Sequence, residues 1–154
     1  MEFSTILKPE AVRILSRVSS KKRLMHELGD VAAAVHGLDP QDVVDALLER
    51  ESLGPTGVGH GVALPHARLE GVSEVCGAFL LLEQPVEFDA VDRQPVDLVF
   101  ALFAPRDAGV EHLKALALVS RTLRDKAVCE KIRANPDPAT IHAIVTEAQS
   151  VQAA

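Results

Sequence analysis

The stretch of the chain best suited to chemistry is residues 57–66, GVGHGVALPH, where glycines alternate with other residues and a histidine follows a proline. Glycine lacks a Cβ and tolerates positive φ, so these glycines would let another backbone or a partner protein come close. Pro65 fixes its own φ and favours extended geometry at Leu64. We therefore expect His66 at the carboxyl end of a stiffened extended segment, where α/β sheets usually bind ligands. A surface or hydrogen-bonded core histidine is the plainer alternative.

Familiar phosphate-binding motifs do not account for these glycines. A dinucleotide-binding loop follows a strand and opens a helix with GxGxxG spacing, whereas here a helix is predicted before the glycines and an extended run after them. The Gly-Lys-Ser/Thr sequence of a Walker loop does not follow. His60 and His66 do not have a standard zinc-binding spacing, and no acidic or cysteine ligand lies near them in the sequence. We expect neither a cofactor nor a metal ion.

Two residues elsewhere could assist a reaction at His66. His112 follows Gly109 in the first turn of a predicted helix, whose amino terminus disfavours the imidazolium and attracts anions. A neutral His112 could donate a hydrogen bond to a phosphoryl oxygen, or it could be an exposed helix-start residue. Arg50, in the last turn of another predicted helix, could pair with a phosphoryl group or only complement the helix dipole.

Helices and strands that would position these residues follow from spacing and capping. One helix is predicted from Ser20 to about His36, with Gly37 as its stop, and a second from Asp39 to about residue 51. Apolar runs near 74–82 and 96–104 are continuous rather than alternating, which favours buried strands of a layered α/β sheet.

The remaining segments are less regular. Residues 11–18 alternate well enough for a short strand, although a helix is an alternative, and one edge strand is predicted at 86–88. Three helices are predicted in the last third of the chain. Their predicted inward faces are Leu113, Leu116, Ala117, Ser120 and Leu123 in the first, Val128, Cys129 and Ile132 in the second, and Ile141, Ile144, Val145 and Ala148 in the third.

The composition indicates one compact domain and excludes several classes of protein. The chain has 154 residues, 47% of them hydrophobic, and a net charge of −6 with no long block of Lys or Arg, which argues against nucleic-acid binding. Its apolar runs fall short of the roughly 20 residues of a membrane span, and its amino terminus lacks the features of a signal peptide. We expect a cytoplasmic protein with reduced thiols at Cys76 and Cys129.

Three segments are shared with a known family: residues 56–69, which include TGVGHGVALPH, the segment FDAVDRQPVDLVFAL at 88–102, and HLKALALV at 112–119. They resemble the fructose/mannitol-type IIA proteins of the bacterial phosphotransferase system, most of all the nitrogen-regulatory IIA subgroup. The resemblance covers residues 5–148, the expected core of a single domain spanning 1–154. It implies an α/β fold with a mixed β-sheet and helices packed on both faces.

The resemblance also implies roles for individual residues. His66 matches the phospho-acceptor, which receives a phosphoryl group from a phosphocarrier protein of the HPr type, and Arg50 and His112 match the accessory positions beside it. No metal is implied. Relatives usually carry Asn where this chain has His60. The supporting loop comprises Thr56, Gly57, Gly59, Gly61 and Pro65.

Three functions are compatible with these features. The resemblance implies a regulatory phosphocarrier that acts through a phosphohistidine rather than as a stand-alone multiple-turnover enzyme. It would bind target proteins, such as transporters, kinases or stress-response enzymes, according to its phosphorylation state. One alternative is a sugar-specific IIA protein that passes its phosphoryl group to a IIB partner. Another is a module that only binds an anion and is never phosphorylated at His66.

Overall fold

A mixed six-stranded sheet forms the centre of the computed structural model, which describes residues 1–153. The strands are β1 (Val12–Leu15), β2 (Gly57–Gly59), β3 (Val62–Ala63), β4 (His66–Leu69), β5 (Cys76–Val86) and β6 (Val96–Pro105). They run in the order β1-β5-β6-β3-β2, and β4 pairs with the later part of β6. β5 is antiparallel to β6, whereas β3 and β4 are both parallel to β6. One edge of β6 is therefore covered by two short strands in succession.

Helices account for most of the remaining described chain. They are α1 (Phe3–Ile6), α2 (Lys21–His36), α3 (Pro40–Ser52), α4 (Val110–Leu123), α5 (Lys126–Ala134) and α6 (Pro138–Ala153), with a 3₁₀ turn at Pro9–Ala11. Across residues 1–153, no helix combines the length and the apolarity needed to cross a membrane. Residue 154, the end of the expected domain, lies outside the described residues.

The predicted ends of α2 and α3 are confirmed, and each has a local cause. The Ser20 side chain accepts a hydrogen bond from the Arg23 N–H at 3.0 Å, and Gly37 ends α2 with a φ of 68°. The Asp39 carboxylate accepts from the Asp42 N–H at 3.0 Å at the start of α3. The Asp39 cap therefore fixes where α3 begins, and with it the position of the following residues along the helix.

Two long buried strands form the middle of the core, as predicted from their continuous apolar sequences. Phe79 of β5 lies opposite Phe100 of β6, and their ring centroids are 5.8 Å apart in an edge-to-face arrangement. The prediction of a separate edge strand at 86–88 is wrong. Val86 is the last residue of β5 and pairs with Val96, after an irregularity in the pairing around Pro85. Proline lacks the N–H that regular pairing uses, so the strand continues past it only with a shift in register.

The sheet is covered by helices on both faces, as the family resemblance implies. Phe100 and Phe103 lie an odd number of residues apart in β6, so their side chains point to opposite faces. Phe100 contacts Phe3 of α1, at a centroid distance of 5.7 Å, and Phe103 packs against His36 of α2, at 6.4 Å. One helical layer therefore contains α1 and the other contains α2.

The amino-terminal residues of the chain pack closely against the rest of the domain. The strand rather than the helix alternative is confirmed for residues 11–18, since Val12–Leu15 pairs with β5. The core also extends beyond the expected start at residue 5. Phe3 is fully buried, and its N–H donates to the Gln149 Oε1 at 2.7 Å. Contact with α6, which no local pattern reveals, holds these first residues in place.

The inward faces predicted for α5 and α6 are confirmed, whereas the one predicted for α4 is only partly right: Leu123 is buried and Leu116 packs against the core, but Leu113 and Ala117 are exposed. Apolar residues occur nearly all around α4, so periodicity alone does not select a face. Leu113, predicted to be buried, is 63% exposed, and the neighbouring His112 is buried instead. The buried residues of α4 are His112, Ala115, Leu118, Val119, Thr122 and Leu123.

The glycine-rich segment folds into a tight hairpin of β2 and β3, joined at His60 and Gly61. Both residues have positive φ, 56° and 78°. A Cβ added to Gly57 would lie 2.8 Å from the Ala90 Cβ, and one added to Gly61 would lie 2.6 Å from the Arg133 Nη2. Gly57 and Gly61 therefore allow close approach by other parts of the same chain, which agrees with the first of the two alternatives expected from the sequence.

We predict that Gly57→Ala lowers the free energy of unfolding by about 1–3 kcal/mol, because the new methyl group overpacks against Ala90. Urea unfolding at neutral pH measures the change. The double variant with Ala90→Gly should recover part of the loss, since it removes the Cβ but leaves the Ala90 Cα, 2.9 Å from the added methyl group. A single variant as stable as the native protein would contradict this account of the hairpin.

Candidate functional site

His66 is the first residue of β4 and lies just beyond the end of β3. The extended segment predicted before it is present, but the chain then forms a further strand that was not predicted. His66 pairs with Leu102 of β6, and the Leu102 N–H donates to the Pro65 carbonyl at 3.0 Å. The backbone around His66 is therefore fixed by the sheet, and its half-buried side chain leaves the sheet from a rigid position.

Two hydrogen bonds determine which nitrogen of His66 carries the proton. Nδ1 lies 2.8 Å from the Leu64 carbonyl oxygen, which can only accept, so Nδ1 must be protonated and donate. Nε2 lies 3.3 Å from the Arg50 Nε, which can only donate, so Nε2 must accept with its lone pair. Both contacts require the same neutral tautomer. The nucleophilic atom of this ring is therefore Nε2.

Arg50 is held at the end of α3 by its own backbone surroundings. Its Nη1 donates to the Gly54 carbonyl at 3.0 Å, which orients the guanidinium while Nε faces His66. The neighbouring Glu51 ties this end of the helix to the hairpin. Its carboxylate pairs with Lys21 Nζ at 2.6 Å and accepts hydrogen bonds from the backbone N–H and hydroxyl of Thr56. Thr56 thus supports the site by anchoring Arg50's helix.

His112 lies beside His66, with ring centroids 5.4 Å apart. It is the third residue of α4 and is only 5% exposed, so the alternative of an exposed helix-start residue is wrong. Its Nδ1 accepts a hydrogen bond from the Arg68 Nε at 3.3 Å. Its Nε2 is buried and has no hydrogen-bond partner among the described residues. Buried polar atoms are usually paired, so this nitrogen is a candidate ligand-binding atom.

Arg68 is the site residue that sequence reasoning missed. A signal for it was present, because residues two apart in a strand share a face, and Arg68 follows His66 at that spacing in β4. This spacing could not be interpreted from the sequence, because β4 was not predicted as a strand. Contact with His112 brings together residues from β4 and α4, which lie far apart in the chain.

The two arginines of the site, Arg50 and Arg68, differ from other arginines of the chain that form ion pairs with carboxylates. Within residues 1–153, neither Arg50 nor Arg68 forms an ion pair with a carboxylate, whereas Arg133 pairs with Asp97 at 2.8 Å and Arg23 pairs with Glu27 at 2.9 Å. Two guanidinium groups without counterions, next to two histidines, produce a positive local potential. Such a site favours an anion, above all one with two negative charges.

The same surroundings keep both imidazoles uncharged. Burial is the main reason that the pKa of His66 is lowered below its ordinary value; the hydrogen bond to Leu64 opposes this shift and the charge of Arg50 adds to it. Burial also lowers the pKa of His112 to about 4, with contributions from the charges of His66 and Arg68. At neutral pH, the imidazoles of His66 and His112 are therefore both neutral.

The histidines line an open depression of about 460 Å³ on the surface. Besides the four site residues, its wall includes Arg106, the carboxylate-bearing Glu49 and the apolar side chains of Leu53, Leu113 and Leu116. Leu53 is 81% exposed and Leu113 is 63% exposed, which leaves apolar surface around a positively charged centre. Among residues 1–153, no cluster of three or more His, Cys, Asp or Glu side chains has the arrangement needed to hold a metal ion.

The glycines of the supporting loop do not line this depression. They shape the hairpin, and the hairpin leads through Leu64 and Pro65 to His66. His60 belongs to the turn, with its N–H donating to the Asp92 Oδ2 at 2.9 Å and its carbonyl accepting from the Arg133 Nη2 at 3.0 Å. Asparagine is among the few residues that readily adopt positive φ, so the backbone here explains why Asn would also fit.

The chain is similar to known proteins over nearly its whole length. A protein-family model described as phosphoenolpyruvate-dependent sugar phosphotransferase system, EIIA 2, matches residues 5–148. A nitrogen regulatory protein of Bradyrhizobium diazoefficiens is 43% identical over 145 residues, which are 94% of this chain and 95% of that protein. A fructose-specific EIIA component of the phosphotransferase system of Haloferax volcanii is 33% identical over 95% of this chain and 96% of that protein.

The fold is similar to that of solved relatives as well. The crystal structure of the nitrogen regulatory protein IIA-Ntr of Neisseria meningitidis superposes with a TM-score of 0.88 at 38% identity. The match covers 94% of this chain and 99% of the Neisseria chain. The sheet and the helical layers described above are therefore shared with a protein of the nitrogen-regulatory type.

We predict that His112 stays uncharged well below neutral pH and titrates near pH 4. The ring resonances of His112, assigned by comparison with a His112→Gln variant, give the midpoint directly by NMR. Because the pKa in the folded state lies below the unfolded value of about 6.5, the unfolded chain binds more protons between pH 6.5 and 4. The free energy of unfolding should therefore fall as the pH drops through this window, and less steeply in His112→Gln. A His112 midpoint at or above 6.5 would refute this electrostatic description.

Proposed function

Because the chain belongs to the EIIA 2 family of the phosphoenolpyruvate-dependent sugar phosphotransferase system, we propose that its His66 accepts a phosphoryl group from a phosphocarrier protein of the HPr type. We also propose that the protein is of the regulatory type and binds target proteins according to its phosphorylation state. The names of the nitrogen regulatory proteins of Bradyrhizobium and Neisseria support this second part.

The observation that carries the proposal is the fixed tautomer of His66. Its Nδ1–H is committed to the Leu64 carbonyl, which leaves Nε2 with its lone pair directed toward the Arg50 guanidinium. A neutral imidazole nitrogen is a competent nucleophile toward phosphorus, and a preformed cation beside it stabilises the transferred group. A site for anion binding alone would not need the ring proton to be fixed on the opposite nitrogen.

The transfer step balances without any further reactant. The Nε2 lone pair of His66 forms a new P–N bond while the P–N bond to the donor's imidazole breaks, and that electron pair returns to the donor nitrogen. A donor ring that carries a proton on its other nitrogen then leaves as neutral imidazole. His66 keeps its Nδ1–H on Leu64, so the resulting phosphoimidazolium is stabilised by the carbonyl oxygen and by the attached phosphoryl oxygens.

The groups beside His66 can stabilise the negative charge of the transferred phosphoryl group. When Nε2 becomes bonded to phosphorus, it no longer accepts a hydrogen bond, and the Arg50 Nε–H is released to donate to a phosphoryl oxygen. The buried Nε2–H of His112 has no partner within the described residues, and because its ring lies beside that of His66 it is available as a second donor. Both donors are in place before the reaction, as electrostatic catalysis requires.

The surface around His66 also suits a protein partner. Leu53 and Leu113 expose apolar side chains at the edge of the depression, and a protein donor would bury them on association. A dianion added at the centre changes the local charge and leaves this apolar edge unaltered. Target proteins that contact both parts would then distinguish the two forms of the protein.

A second candidate function has one observation in its favour. The Haloferax relative, at 33% identity over nearly its full length, is named as a fructose-specific EIIA component. A sugar-specific protein would pass its phosphoryl group on to a IIB protein. Incubating the phosphorylated protein with candidate IIB proteins separates the two functions, since stoichiometric transfer to one of them favours the sugar-specific role.

We predict that incubation with a phosphorylated HPr-type donor adds one phosphoryl group to the protein and that this group is lost in acid, as expected for a phosphohistidine. His66→Ala should abolish the modification. His112→Ala should slow it by about 10²–10³-fold, the usual effect of losing one preorganised donor. Intact-mass spectrometry over a time course measures both effects.

A His60→Asn variant serves as the control, because it keeps the left-handed turn and alters a histidine that does not line the depression. It should be modified at the native rate. Two results would overturn the proposal: full modification of His66→Ala, or no modification of the native protein under conditions where a known relative reacts. The second result would favour an anion-binding module.

We predict that Leu113→Ala weakens binding of the donor protein by about tenfold, since truncating a well-packed interface Leu costs about 1–2 kcal/mol. The matched control is Val110→Ala, which truncates a similarly exposed apolar residue of α4 that does not line the depression. The concentration dependence of the initial phosphorylation rate gives the KM for the donor. Equal effects of the two variants on KM would disprove a docking role for this edge.

A further inference from the structure

Arg68 makes a contact that the proposed function does not use. Its Nε lies 3.3 Å from the Nδ1 of His112, and a guanidinium nitrogen can only donate a hydrogen bond. Nδ1 must therefore be the acceptor, which places the ring proton of neutral His112 on Nε2. Arg68 thus determines the tautomer of His112 in the way that Leu64 determines that of His66.

The tautomer of His112 determines whether its buried Nε2 is a hydrogen-bond donor or an acceptor. Nε2 has no hydrogen-bond partner within residues 1–153, and the residue that carries it is 95% buried beside the ring of His66. With the proton on Nε2, this atom is an unsatisfied donor, which is costly to leave unpaired and would be satisfied by a phosphoryl oxygen. With the proton on Nδ1 instead, Nε2 would present a lone pair to the oxygen and repel it.

We propose that Arg68 is a positioning residue for phosphoryl transfer to His66, acting through His112 by holding its Nδ1 as an acceptor and its Nε2–H as the donor to the transferred group. This inference rests on the proposed function and extends it to a residue outside the accessory positions already assigned. Arg68 also brings a positive charge with no ion-pair partner among the described residues, which opposes protonation of the ring it contacts.

Arg106 provides a matched control for Arg68. It lines the same depression, but its only ion pair in the described part of the chain is an exposed one with Glu70 at 3.5 Å, and it makes no hydrogen bond to His112. Arg68→Met and Arg106→Met remove the same charge and similar volume from one surface. Only the first removes the hydrogen bond to Nδ1. Arg68→Lys keeps a positively charged donor at the same place.

The rate test uses a double-mutant cycle with the phosphorylated HPr-type donor at saturating concentration. Arg68→Met should slow modification by roughly tenfold, the size of effect expected for one lost orienting hydrogen bond. Arg68→Lys should retain a larger part of the rate, and Arg106→Met, which removes a cation from the same depression but leaves the hydrogen bond to His112, should slow the reaction less than Arg68→Met does. In a His112→Ala background, Arg68→Met should have no further effect, because the residue through which it acts is gone.

A second measurement, which does not depend on the reaction, records the ¹⁵N shifts of the His112 ring. The native protein should show a protonated Nε2 and an unprotonated Nδ1, and Arg68→Met should show mixed tautomers and a His112 titration at higher pH. Three outcomes would overturn the proposal: a native rate in Arg68→Met, an undiminished effect of Arg68→Met without His112, or a slower rate with unchanged ring shifts and titration. Failure of the native protein itself to be modified would instead refute the proposed function, and this proposal with it.

Discussion

The hydrogen bond from the His66 Nδ1 to the Leu64 carbonyl is the contact on which the rest of the site depends. The carbonyl is held by the fold, because the Leu64 N–H donates to the Thr56 carbonyl at 2.9 Å and the next carbonyl along the chain accepts from Leu102 of β6. A fixed acceptor leaves the ring one neutral tautomer and one free nitrogen. Arg50 lies beside that nitrogen, and the ring of His112 packs against the ring of His66.

Charge and burial oppose each other in this site, and the balance explains its composition. An imidazole close to cations and partly removed from water resists protonation, so it remains a nucleophile at neutral pH. In the same arrangement, Arg50 and Arg68 have no carboxylate partners within the described chain. Elsewhere in the fold an arginine does form such a pair, since Arg133 contacts Asp97. Uncompensated cations reduce the stability of the free protein, and a bound dianion removes that cost. Under the proposed function, a transferred phosphoryl group would therefore be stabilised by the relief of this repulsion between cations.

What the sequence predicted well was decided by short-range interactions. The ends of α2 and α3 follow from caps at Ser20 and Asp39, and β5 and β6 follow from their unbroken apolar runs. The segment around His66 was found because its pattern is unusual and matches a family. The missed features all required contacts between distant parts of the chain. The buried face of α4 is chosen by packing, and the role of Arg68 exists only because β4 and α4 meet.

The position of His66 in the sheet also bears on how modification of this residue would affect partner proteins. Its backbone pairs with β6, which is bonded along both edges and buried through most of its length. A strand held in this way does not shift easily when a side chain is modified, since moving it would break several hydrogen bonds of the sheet at once. Under the proposed function, partner proteins would therefore detect the phosphoryl group by direct contact with the site. They would respond to the change of charge inside the surrounding apolar edge and not to a rearrangement of the fold. Partners would recognise the dianion itself or the cations that it neutralises.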